Sequence, residues 1–159
     1  MHAYLRIFDD AWSHDWESMG AVLDGVTEEE ARYQAPCYAG EEPEKDWPAP
    51  GSIWWQVAHV RHCKAYYTVL IEQRGAEPER PPVPPFAPSP DFAAARRALE
   101  DAHAAQRVAI AALTDADLAL KVGNGMVLPE FLAMAIRHDT WHAGQIAVAR
   151  RLWRLEKHD

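Results

Sequence analysis

Seven of the thirteen residues between positions 78 and 90 are proline. Each locks its φ angle and lacks a backbone N–H, so no helix can run through this stretch, and an extended strap long enough to cross a bundle is expected there. Helical patterns lie on either side of it. Leu5, Phe8, Trp12, Met19 and Leu23 follow helical spacing and predict a first long helix, with Trp16 widening its apolar side and Gly25 helping to end it. Thr27 and Glu30 form a capping-box pattern for a short turn before Pro36. Residues 36 to 51 hold four prolines and two glycines and are expected to be irregular.

Ser52 then caps a second long helix, which runs to about Arg74 and stops at Gly75. Ser89 and Pro90 are the expected N-cap and first residue of a third, whose apolar side carries Phe92, Ala95, Leu99, Ala102, Ala109, Ile110 and Leu113. Thr114 to Asp117 suggests a short capped turn, and Gly123-Asn124-Gly125 a small hairpin. A last helix spans about Pro129 to Arg154. Four long helices and two long connections point to an all-α four-helix bundle, and 159 residues fit a single domain over 1–159.

Composition narrows the function. A formal net charge of -8 opposes a nucleic-acid surface, which needs a basic patch. With no apolar run of membrane-spanning length and no secretory pattern among the first residues, the expected location is the cytoplasm. Two cysteines, Cys37 and Cys63, are too few for a disulfide framework.

The chemistry is concentrated in histidine. His138 and His142 stand four apart, which places two imidazoles on one side of a helix about 6 Å apart in rise. Two ligands make a weak site, and His59 is the best-placed third. On a helical projection Trp55, Cys63, Tyr66 and Leu70 lie within about 40° of His59, while Arg61, Lys64, Thr68 and Glu72 cluster opposite. His59 thus points inward from an apolar stripe. Phe131, Met134, Ala135, Gln145, Ala149 and Leu152 share the face of His138 and His142. Three inward imidazoles are costly unpaired, and a cation satisfies one nitrogen of each. A hydrogen-bonded core histidine is the competing reading for His59 taken alone.

His62 projects about 60° from His59 and is the rival ligand; Asp139, about 100° from His138, is set aside. Cys63 is either a small buried apolar residue or a soft fourth ligand. His2, His14, His103 and His158 have no partner at ligand spacing and are expected at the surface or in incidental positions. The back of the last helix, with Ala133, Ile136, Thr140, Ala143 and Ala147, is small and apolar enough to pack another helix or a second subunit.

These residues resemble the DinB-like, or YfiT-like, metal-dependent proteins, a group distinct from the DNA polymerase of similar name. The resemblance rests on an early helix with a histidine, here Val57-Ala58-His59, and a late His-x-x-x-His-x-Gly-Gln run, here His138, His142, Gly144 and Gln145. It implies a bundle in up-down-down-up order, a divalent metal held by His59, His138 and His142, and a homodimer. Zinc and nickel are the first candidates, since imidazole suits both. Relatives that use a low-molecular-weight thiol such as bacillithiol or mycothiol imply thiol S-transfer to a small-molecule substrate. Trp55, Tyr66, Met134 and Gln145 would then line the pocket, though each also fits ordinary packing. A metal-dependent hydrolase and a non-catalytic, stress-associated metal-binding protein are the alternatives.

Overall fold

The computed structural model describes residues 1–16, 18–73, 85–122 and 125–158. Among them the chain is helical: α1 (His2–Ser13), α2 (Met19–Leu23), α3 (Glu28–Arg32), α4 (Ile53–Glu72), α5 (Phe92–Ala111) and α6 (Leu128–His158). Single 3-10 turns stand at Pro36–Tyr38 and Asp115–Ala119. α4 packs chiefly against α5 and next against α6; α1 touches both α5 and α6, and α2 and α3 close the same end.

Caps explain most boundaries. Ser18, Thr27, Ser52 and Asp91 each accept a hydrogen bond from the backbone N–H three residues on, a contact typically worth about 1 kcal/mol. Two of these caps correct the sequence reading. The first helix is not continuous: Ser18 starts a new helix, His14 is extended, and Trp16 is 83% exposed in the break. Gly20 permits the close return, since a Cβ there would lie 3.0 Å from the Trp12 carbonyl. α5 is capped by Asp91 rather than Ser89, because the Asp91 carboxylate reaches the Ala94 N–H at 2.6 Å. Thr27 caps as expected, but the Glu30 carboxylate turns away to pair with Arg150 at 2.8 Å.

The expected stop at Gly75 and the tip of the hairpin at Gly123 and Asn124 lie outside the described residues, as do residues 78–84 of the strap. Residues 85–89 are non-helical, with Phe86 stacked on Trp47 at 4.0 Å and the Ala87 carbonyl accepting from Arg61 at 2.7 Å. Lys121 and Val127 pair as one antiparallel bridge. Across the 36–51 connection, Gly51 takes φ 74° and the Tyr38 ring lies against it, where a Cβ would come within 2.2 Å of the ring. Nearby, Gln34 Nε2 donates to the Pro50 carbonyl at 3.1 Å.

The core has two apolar clusters. One gathers Ile53, Val57 and Val60 of α4, Phe92, Ala95 and Leu99 of α5, and Ala143, Ile146 and Ala149 of α6. The other gathers Leu70 and Ile71 of α4, Ala109 and Ile110 of α5, and Leu128, Phe131 and Leu132 of α6. On all three helices the residues between these segments include buried polar ones: Lys64, then His103 and Gln106, then Asp139 and His142. A polar layer therefore crosses the middle of the helices, and the site lies in it.

Lys64 Nζ donates to Asp139 Oδ2 at 2.5 Å and to Gln106 Oε1 at 3.0 Å, with the side chains of the ion pair 1% and 3% exposed. The ammonium also lies 4.9 Å from the Phe8 ring and 5.3 Å from the Trp12 ring, within cation–π reach. Burial pushes the Lys64 ammonium down and the Asp139 carboxyl up in pKa, each against the pull of its partner. His103 stacks between Phe8 and Trp12, with ring centroids 4.5 and 3.8 Å away. Two expectations are corrected here. Lys64 and Thr68 do not face solvent, because α4 is covered on two sides, by α5 and by α6. Nor is His103 a surface residue.

Candidate metal centre

α4 and α6 bring His59, His138 and His142 together. His138 Nε2 lies 3.2 Å from His59 Nε2 and 3.2 Å from His142 Nε2. Cys63, one turn after His59, places Sγ 3.6 Å from His59 Nε2. Donor atoms of His59, Cys63 and His138 all lie within 4.8 Å of one another, and His142 joins through His138.

The protons of this cluster can be counted. Gln56 Oε1 can only accept, so its hydrogen bond with His142 Nδ1 puts a proton on Nδ1 and leaves a lone pair on Nε2. His138 Nε2 carries at most one proton and faces two ring nitrogens, so two imidazoles cannot both be satisfied by it. Its other nitrogen, Nδ1, is buried with no hydrogen-bond partner. A set of inward lone pairs exceeding the available protons is what a cation resolves. The rings are also neutral near pH 7. Burial, then His138, then His62 lower His59 to a pKa of about 4; burial, then His138, then His59 lower His142 to about 3. His138 is lowered by burial and then by Lys64. Neutral imidazole is the ligating form.

The surroundings differ in kind. The Trp55 ring stacks on His59 at 5.0 Å and 6°, and Tyr67 meets His138 edge-on at 5.7 Å. Burial, then the Tyr67 hydroxyl hydrogen bond among other influences, set the Cys63 thiol: burial raises it and Tyr67 lowers it, leaving it at about 11. Tyr67 is itself raised, by burial first and then by Cys63. His62 faces the connecting loops, 5.8 Å from Trp47 and 6.3 Å from Phe86, away from α6.

The other residues named from sequence are placed as follows. Tyr66 is buried in the second apolar cluster, Met134 packs against that cluster, and Gln145 lines a groove of about 330 Å³. Tyr38, Gln56, Trp141 and Val148 line the same groove, so Gln56 stands between it and His142. Asp139 points away from the histidines, to Lys64. Sequence reasoning missed Gln56 and Tyr67. Gln56 carried a signal, a polar residue three before His59 at helical contact spacing; Tyr67 lay about 80° off the His59 direction and carried little.

Among the described residues no helix is long and apolar enough to cross a membrane. No curated protein and no solved structure gives a significant match to the chain. A family model described as DinB superfamily matches residues 11–146, a span that contains α2 through α5, the end of α1, most of α6 and all three histidines of the cluster. This chain, with its histidine cluster between two long helices, belongs to the DinB superfamily.

Proposed function

We propose that this is a cytoplasmic divalent-metal-binding protein in which His59, His138 and His142 hold the ion, with zinc or nickel the first candidates. The observation that carries the reading is the pair of 3.2 Å approaches to His138 Nε2, a cluster with more lone pairs than protons. A bound divalent ion would supply Lewis acidity and lower the pKa of a thiol or water beside it. The proposed activity is S-transfer from a low-molecular-weight thiol to a small electrophilic substrate. In that role Trp55 shields one face of His59, Gln145 meets substrate from the groove, and Tyr66 and Met134 shape the wall behind. Gln56 keeps the His142 proton on Nδ1.

The bundle reading belongs to the same proposal: α1, α4, α5 and α6 run up-down-down-up. Its support is that the first halves of α4 and α5 share an apolar cluster with the second half of α6. A homodimer is also proposed. Trp141, Val148 and Leu155, spaced by seven along α6 and 57–68% exposed, form the type of self-complementary stripe that pairs helices. A second functional reading, a non-catalytic metal-binding protein, is favoured by Cys63, a further donor beside the cluster.

Elemental analysis of untagged protein, with His138→Ala and His142→Ala in parallel, tests the metal. About one equivalent per chain in the parent and its loss in both variants is the expected result. Metal-loaded protein is then offered a panel of thiols with monochlorobimane. Metal-dependent conjugation supports transfer; its absence with every thiol leaves the non-catalytic reading.

A further inference from the structure

We propose that Cys63 is a fourth protein ligand, so that the ion is held by three imidazole nitrogens and one thiolate sulfur. The inference rests on the metal reading above and deepens it by naming the donor set; because four protein donors close a tetrahedral site, it takes the non-catalytic form of that reading.

Two helical pairs face each other: His59 and Cys63 on α4, His138 and His142 on α6, each four residues apart. With metal–nitrogen bonds of 2.0–2.1 Å and a metal–sulfur bond near 2.3 Å, a tetrahedral ion separates nitrogen donors by about 3.3 Å and nitrogen from sulfur by about 3.6 Å. Three of the six edges are close to those values, the two nitrogen–nitrogen contacts at 3.2 Å and the sulfur–nitrogen contact at 3.6 Å; the Cys63–His138 edge lies within 4.8 Å, and His142 joins the set through His138. No such spacing is required of a cysteine that merely fills space.

The surroundings of Cys63 also fit a ligand. Tyr67, one turn further along α4, is close enough to act on the Cys63 thiol, and a neighbouring hydroxyl can support a ligating sulfur from the outer sphere. Cys37, by contrast, is exposed and lines the separate groove. A thiolate neutralises one charge of a divalent ion next to the buried Lys64 ammonium, whereas three neutral imidazoles neutralise none.

Cobalt(II) distinguishes these donor sets by spectrum, without any activity. Full-length metal-free protein loaded with cobalt(II) should show visible d–d bands and a near-ultraviolet sulfur-to-cobalt charge-transfer band. Cys63→Ser should lose the near-ultraviolet band and keep cobalt, and Cys37→Ser should keep both. In the parent protein, alkylation of Cys63 by iodoacetamide should slow at least tenfold when cobalt is bound, a readout that needs no variant. Bound cobalt with d–d bands but no charge-transfer band, or with a band that survives Cys63→Ser, overturns the sulfur ligand and leaves the three histidines standing. Failure to bind cobalt, zinc or nickel at all overturns both.

Discussion

Two polar groups lie in the same layer of this protein, and they differ in how their central nitrogen is matched. In the Lys64, Asp139 and Gln106 group, each acceptor facing the lysine is matched by one of its protons. The positive charge is cancelled by a carboxylate 2.5 Å away. In the histidine group one turn along, ring nitrogens face ring nitrogens and His138 Nδ1 has no partner. The first is buried and the second part-buried between α4 and α6, so burial alone does not mark function. What separates them is the central nitrogen. The Lys64 ammonium has a proton for each oxygen it faces, leaving only Gln106 Nε2 unpartnered at the edge. His138 Nε2 has at most one proton for two facing ring nitrogens, the shortfall that the proposed cation would fill.

The largest expected effect breaks the lysine group. Lys64→Met leaves the Asp139 carboxylate buried and unpaired and should cost about 3–5 kcal/mol in urea unfolding without metal. The double variant Lys64→Met with Asp139→Leu should recover most of that, since apolar replacement of a buried pair is often close to neutral. If the single variant is as stable as the parent, the contrast between the groups fails.

Next in size is a change that touches the histidine group only. Gln56→Leu removes the acceptor holding His142 Nδ1–H and should weaken metal binding about 10- to 100-fold, measured by competition with a chelating dye. Unfolding without metal should change far less than for Lys64→Met. Equal effects on both measurements would make Gln56 a packing residue.

The smallest effect is in acid. The folded pKa values of His59 and His142, about 4 and about 3, lie below the ordinary histidine value of 6.5. Between those limits the unfolded chain binds protons that the folded one refuses. Metal-free stability should therefore be fully present above about pH 6.5 and fall as pH drops from there toward 3. His103, lowered to about 3 by burial first and then by Lys64, contributes with the same sign. His103→Phe should make the slope shallower while leaving metal affinity unchanged, which isolates the share owed to the histidine cluster.

Much of this was legible from spacing, and the failures have a common cause. Periodicity located α4, α5 and α6, because each keeps apolar residues at helical spacing over at least 20 residues. It also put His59, His138 and His142 on inward faces. A projection shows one helix at a time, however, and cannot show that α4 is covered from two sides, so Lys64 looked exposed and Tyr66 looked closer to the site than Tyr67. The break before α2 escaped because Ser18 resets the helix without disturbing the apolar spacing of Met19 and Leu23. His103 has a tertiary explanation only, the aromatic slot formed by Phe8 and Trp12.

The contact between Tyr38 and Gly51 has a consequence for how this protein can be engineered or can drift. Because the ring occupies the volume a side chain would need, the two ends of the long connection meet closely next to the Ser52 cap of α4, where Gln34 also donates to the Pro50 carbonyl. Within the segment between them, Trp47 packs 6.5 Å from the His59 ring, whereas residues 41–46 just before it are all exposed and tolerate changes of length. A reporter peptide or fluorophore attachment belongs there. A side chain at position 51 would instead lever against Tyr38 and carry the strain straight to the helix that holds His59.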